Sequence, residues 1–177
     1  LIHQTVTQPV VDVLVENWTV QVYPTDGSFR CFDIDSTQRA LTDVPLIVQE
    51  YHYGGMAIRG PVPRGQGEKQ IITPENPPNL REPSNFLNDQ GSDRVQGNHQ
   101  VARWVAMHGT LDGHNVSITV LSHADNFRAP QPARLHPTKP YFCFAPCVAG
   151  EFIIDKQHPL RSRYRFLVTD AAPDATW

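Results

Sequence analysis

The sequence predicts an all-β fold, an antiparallel β-sandwich, on three observations. Several segments alternate apolar and polar residues with period two, the pattern of strands that bury one face and expose the other. Asp-Gly turn signals separate two pairs of these segments. Sixteen prolines and eleven glycines punctuate the 177 residues, and no long helical periodicity runs between them.

Strands are expected near residues 9–23, 28–35, 45–53, 56–60, 101–109, 115–122, 140–145, 151–155 and 162–169. In "ENWTVQVYP", Trp18, Val20 and Val22 face one way and Thr19, Gln21 and Tyr23 the other. "TDGS" at 25–28 turns this strand into the next. "QEYHYGGMAIRG", 49–60, carries two strands broken at Gly54-Gly55, where a bulge or the close approach of a ligand fits. "LDGHN" at 111–115 joins "ARWVAMHG" to "NVSITVL" as a second hairpin. In "RSRYRFLVTD", Tyr164, Phe166 and Val168 alternate with Arg163, Arg165 and Leu167. Arg161, Arg163 and Arg165 share the polar face of that strand, a solvated face from which one member could project toward a site.

The chain reads as one β-sandwich domain over residues 1–177 with a loop excursion at 61–100, rich in Pro, Gly and Asn. A loop this long is functional or disordered; the apolar residues Ile71, Ile72, Leu80, Phe86 and Leu87 suggest that it folds over one face of the sandwich. The start at Leu1, without Met or a signal-peptide pattern, fits a trimmed or partial chain, and the expectation is the C-terminal portion of a longer protein. Its compartment, cytoplasmic or periplasmic, and its oligomeric state are therefore not legible.

Composition excludes some function classes. A formal charge of −3 gives no electrostatic case for nucleic acid. No apolar run is long enough to cross a bilayer as a helix. Cys31, Cys143 and Cys147 are three, an odd count that argues for buried free thiols over a disulfide framework. The eight histidines form no short ligand pair, so no metal is expected. No nucleophile elbow, phosphate loop or dinucleotide fingerprint occurs, and no cofactor is expected.

Chemistry concentrates in three places. "SHADNFRAPQPARLHPTKPYF", 122–142, sets two histidines and two arginines among four prolines. The prolines deny helix and a central strand, leaving a stiff extended path. Such a path either holds Asn126, Arg128, Arg134 and His136 toward a polar ligand, with His123 emerging at a strand end, or it is a solvated crossover. In the second place, a regular strand puts Glu50 and His52 on one face, where the carboxylate would orient the imidazole as acid or base, and Arg59 follows as an anion or hydroxyl ligand. The bland reading is an edge strand with a surface Glu–His pair. In the third, Trp104 and His108 share a face of one strand; both fit ordinary packing, and Trp104 also fits sugar stacking.

"YHYGGMAIRGP", "ARWVAMHGTLDGHNVSITVLSHADNFRAPQPARLHPTKPYFCFAP" and "RYRFLVTDAAPD" resemble an uncharacterised soluble bacterial family often labelled "methane oxygenase PmoA", over roughly residues 16–174. The resemblance implies a sandwich similar to galactose-mutarotase-like proteins, as part of a larger supersandwich, and carbohydrate chemistry by association. The expected function is acid–base chemistry on a sugar derivative (isomerisation, elimination or hydrolysis). His52 would be base or acid, Glu50 its orienting partner, and His123 or His108 the counterpart. Arg59, Asn126, Arg128, Arg134, His136 and Trp104 would bind the small-molecule or carbohydrate ligand. The alternatives are a non-catalytic carbohydrate-binding or interaction module that stacks a ligand on Trp104, Tyr51 or Tyr53, and a metal-dependent oxygenase true to the label.

Overall fold

The computed structural model describes residues 1–60, 85–111 and 113–173. Its strands are β1 (Ile2–Gln4), β2 (Asp12–Tyr23), β3 (Phe29–Ala40), β4 (Leu46–Val48), β5 (Ala57–Arg59), β6 (Asn85–Asn88), β7 (Val101–Ala102), β8 (Trp104–Leu111), β9 (His114–Ser122), β10 (Gln131–Leu135), β11 (Tyr141–Phe144), β12 (Phe152–Ile154) and β13 (Leu160–Thr169). One short 3-10 turn spans Pro146–Ala149. A seven-stranded sheet in the order β1-β2-β3-β13-β9-β8-β6 faces a four-stranded sheet, β5-β11-β10-β7, and β12 pairs with β4 alone. Every strand pair is antiparallel, so the all-β sandwich expected from the period-two pattern is the observed fold.

The alternation works as the pleat requires. Phe32, Ile34, Val105, Met107, Val120, Tyr164 and Phe166 of the large sheet meet Ile58, Ala133, Leu135, Phe142 and Phe144 of the small one. Phe142, Phe144 and Leu135 have no exposed surface, and each contributes on the order of 2–3 kcal/mol of burial. Phe32 stacks on Phe166 at 4.7 Å, and Phe144 stacks on Tyr164 at 5.5 Å. One polar bridge crosses this core: the Tyr164 hydroxyl donates to Gln131 Oε1 at 2.7 Å, and Gln131 Nε2 donates to the Phe127 carbonyl at 2.8 Å. All three cysteines are buried free thiols.

Four local departures from expectation have physical causes. β1 and β6 are short strands in segments without a clear alternating run. Within the excursion, 61–84, including Ile71, Ile72 and Leu80, lie outside the described residues, while Phe86 enters the core and Asn88 organises the following turn. The Asn88 side chain accepts from the backbone N–H groups of Gln90 and Ser92 and donates to Gln100. β10 runs through the proline-rich stretch, centrally between β11 and β7. Pro132 is tolerated there because β7 offers only a two-residue ladder, Gln131↔Ala102 and Pro132↔Val101, so the missing N–H forfeits little.

The fourth departure is at 49–55, which is not strand. Here the chain crosses over β11 and the 3-10 turn, with Gly54 at φ +133 and Gly55 at φ +88. A Cβ on Gly55 would stand 2.3 Å from the Phe144 carbonyl oxygen, and one on Gly54 would stand 2.8 Å from Cys147 Sγ. The close approach that the double glycine permits is to the protein's own backbone. Cys147 Sγ seals it by donating to the Tyr53 carbonyl at 2.9 Å. By contrast, Gly27, in the β2–β3 turn, has φ +100 and open space around it. Gly55→Ala is therefore expected to lose roughly 2–3 kcal/mol more stability than Gly27→Ala, measured as the difference in urea unfolding free energy between the two variants.

Candidate functional site

The outer face of the large sheet carries a charge lattice. The residues opposite Phe32 and Ile34 in phase are Asp33 and Asp35, and those opposite Tyr164 and Phe166 are Arg163 and Arg165. Arg165 pairs with Asp33 at 2.8 Å, Arg161 with Asp35 at 2.5 Å, and Arg163 with Asp125 at 2.8 Å. His123 Nδ1 lies 3.0 Å from Arg163 Nη2 on this face. These groups line an open groove of about 610 Å³. Arg161, Arg163 and Arg165 each already face an aspartate, as in a solvated cross-strand ladder whose screened pairs add little to stability.

The polar side chains of the loop after β9 are turned to holding the fold. Asn126 is 5% exposed; its Nδ2 donates to Ser122 Oγ and the Arg163 carbonyl, and its Oδ1 accepts from the Arg163 N–H at 2.8 Å. Arg128, at φ +60, donates to the carbonyls of Pro146, Gly150 and Glu151. Its guanidinium packs on Phe127 and Phe152. Asn126 thus ties the loop to β13, and Arg128 ties it to the turn before β12.

The remaining candidates separate into two further places. Trp104 is 4% exposed on the outer phase of β8, with no hydrogen-bond partner for its indole N–H. His108 lines a shallow hollow with Asn85, Thr110 and Asn115, and burial lowers its pKa. It lies roughly six residues along the ladder from His123, ~20 Å. On the outer face of the small sheet, His52, Arg59, Arg134 and His136 come together around Tyr53 and Tyr141. His52 stacks against Tyr51 and Tyr53 at 4.2 and 4.3 Å. Glu50 is exposed on the irregular segment, and no hydrogen bond joins it to His52. His52 and His123 thus occupy opposite outer faces. Among the described residues, no group of three or more His, Cys, Asp or Glu side chains converges as a metal site.

A constellation that the sequence reading missed lies between the sheets, at the wider end of the large one. Glu16, on the inward phase of β2 with Trp18, is 7% exposed. Its Oε1 accepts from Ser36 Oγ at 2.5 Å and Gln38 Nε2 at 3.0 Å, and its Oε2 meets His3 Nε2 at 3.1 Å. Burial alone would raise the Glu16 carboxyl, but hydrogen bonds from Ser36, Trp18, Gln38 and His3 outweigh it and hold the pKa at about 2. The group is a fixed carboxylate at the rim of a pocket of about 530 Å³, which Trp18, Ser36, Gln38, Met56, Phe152 and Tyr164 help to line. Trp18 remains 56% exposed. The signal in the sequence was a charged residue on the apolar phase of an alternating strand.

His136 is held neutral. Its Nδ1 accepts from the backbone N–H groups of Thr138 and Lys139 at 3.1 and 3.0 Å, which assigns the ring proton to Nε2. Burial, then the charges of Lys139, Arg134, Arg94 and Arg59, lower its pKa from 6.5 to about 4. The unfolded chain therefore binds a proton that the folded chain refuses between pH 6.5 and about 4, and stability falls with pH across that window. For Glu16 the loss runs from pH 4.5 down to about 2. The urea midpoint should drop in both windows; His136→Asn should flatten the upper limb and Glu16→Gln the lower.

No curated protein matches this chain. No solved structure matches it either. A family model does match, from residue 3 to residue 176. That span takes in β2 to β13, the Glu16 network and the cationic face alike, and so the chain belongs to the family of unknown function DUF6807.

Proposed function

We propose that this protein is a carbohydrate-binding β-sandwich that takes a sugar ring into the pocket beside Glu16, stacked on Trp18. The observation carrying the reading is the exposed Trp18 indole at the rim of a 530 Å³ pocket. That volume suits a small ligand, and a mostly apolar wall with a few fixed polar groups suits a sugar. An indole face complements the C–H face of a pyranose. Glu16 acts as a positioning residue: its acceptor sites are taken by Ser36, Gln38, His3 and Trp18, so it orients their side chains, and Gln38 Oε1 is left to receive a sugar hydroxyl. The likeness to the family labelled "methane oxygenase PmoA" supports carbohydrate chemistry only by association.

Acid–base chemistry on a sugar derivative at His52, with Glu50 and with His123 or His108 as counterpart, is the second reading. It draws less support, because these histidines lie on separate faces and the Glu16 pocket contains none of them. The metal-dependent oxygenase reading lacks a converging set of ligands among the described residues.

Titration of the full chain with a panel of neutral mono- and oligosaccharides, followed by calorimetry and tryptophan fluorescence, tests the proposal. Binding should blue-shift emission as Trp18 leaves water. Trp18→Ala should weaken it about 10-fold, and Glu16→Gln should weaken it less. Saturable binding unchanged in Trp18→Ala, or no binding by any sugar, overturns the reading. Turnover of a sugar that disappears in His52→Ala would favour the acid–base alternative.

A further inference from the structure

On the outer face of the four-stranded sheet, Arg59 and Arg134 come together with no ion-pairing carboxylate among the described residues. Strand register sets the layout: Arg59 on β5 lies opposite Tyr141 on β11, whose carbonyl accepts from the N–H of His136 just past β10, while Cys143 and Arg134 form the next row. All five residues share the outward phase, because Ile58, Phe142 and Leu135 between them point into the core. Tyr53 packs edge-on against Tyr141 at 5.5 Å. The Arg59 guanidinium sits 5.4 Å from the Tyr141 ring centre, and that of Arg134 sits 5.4 Å from Tyr53. His136 meets Tyr141 edge-on at 6.4 Å.

Arg161, Arg163 and Arg165 of the opposite sheet are each matched to an aspartate; Arg59 and Arg134 are not matched to any carboxylate among the described residues. The ion pairs among the described residues involve Glu16, Asp33, Asp35, Asp43, Asp89, Asp125 and Asp155, and none of them reaches Arg59 or Arg134. Arg134 Nη1 donates to Asn98 Oδ1 and to the Leu135 carbonyl. Its Nε–H is buried and has no acceptor. A buried charged donor without a partner is left uncompensated, and it adds to the positive potential at this face. Burial by the protein and the charges of Lys139, Arg134, Arg94 and Arg59 around His136 describe the same field from a second group.

We propose that this face is a binding site for an oxyanion group, a carboxylate, sulfate or phosphate, held between Arg59 and Arg134 against Tyr53 and Tyr141. Two strand spacings, about 9.6 Å, separate β5 from β10, a span that two arginine side chains close around one anion. His136 Nε2–H adds a neutral donor. The site does not depend on the sugar reading of the Trp18 pocket. The two lie on either side of the Tyr51–Gly55 crossing.

Calorimetric titration of the full chain at low ionic strength with sodium sulfate, inorganic phosphate and sodium glucuronate tests it. Saturable binding of at least one anion is expected. Arg59 is exposed on an edge strand, so its substitution leaves the core intact; Arg59→Ala should weaken binding about 10-fold and Arg59→Glu should abolish it. Arg30→Ala, a basic residue in another part of the molecule, should change nothing. Sulfate and phosphate have no ring to stack, so Trp18→Ala should leave their binding unaltered, which keeps this test apart from that of the sugar pocket. Binding of glucuronate alone identifies the anion as a carboxylated sugar, and binding of the inorganic anions identifies a tetrahedral oxyanion. No saturation by any of the three below about 10 mM, or full binding by Arg59→Glu, overturns the proposal.

Discussion

Seven strands cannot be covered by four. The small sheet packs over β3, β13, β9, β8 and β6, where the phenylalanine-rich core forms, and stops short of β2. The inward phase of β2 therefore begins in the sandwich and ends in solvent: Glu16 is buried, while Trp18, Val20 and Val22 are more than half exposed. A chain with apolar residues on that phase would ordinarily bury them. Here the mismatch in sheet width leaves Trp18 at the rim of a pocket and Val20 and Val22 further along the strand in solvent. Placing a carboxylate at the transition from buried to exposed is affordable only because four donors converge on it, and that convergence also fixes the tryptophan beside it.

The crossing segment from residue 49 to residue 56 shapes the molecule on both sides. Its two glycines let it lie on the β11 backbone at a distance that no side chain would allow, and the Cys147 thiol pins it there. One flank of this segment, with Gly55 and Met56, closes the Trp18 pocket. The other presents Tyr53 to Arg134 and Tyr141. A buried thiol held by a backbone carbonyl, with its pKa raised by burial, serves packing here and stays protonated.

The proline-rich stretch shows why polar density is a poor guide to binding. Asn126 and Arg128 have the chemistry of ligand-binding residues, and both are turned inward to the protein's own backbone. A loop without a ladder of its own must find acceptors and donors somewhere, and side chains of this kind supply them. Arg134, from the same stretch, falls on β10 and His136 directly follows its end, and strand phase points both outward beside Arg59. Which pair serves the fold and which faces solvent depends on where β10 begins, and Pro132 hid that boundary.

Period-two patterning and Asp-Gly turns determined, from the sequence alone, that the protein is an antiparallel sandwich and where most of its long strands run. Both are local properties of the chain. Patterning also carried the phase of the arginine strand, and the odd cysteine count pointed to the buried free thiols. Tertiary structure alone decided which strands share a sheet, how far the small sheet reaches, and hence that Trp18 is exposed, that Glu16 sits in a network, and that His52 and His123 face away from each other. Those outcomes depend on pairings between residues far apart in the chain, such as Asp33 with Arg165, 132 positions away, and on packing that no periodicity within a single strand encodes.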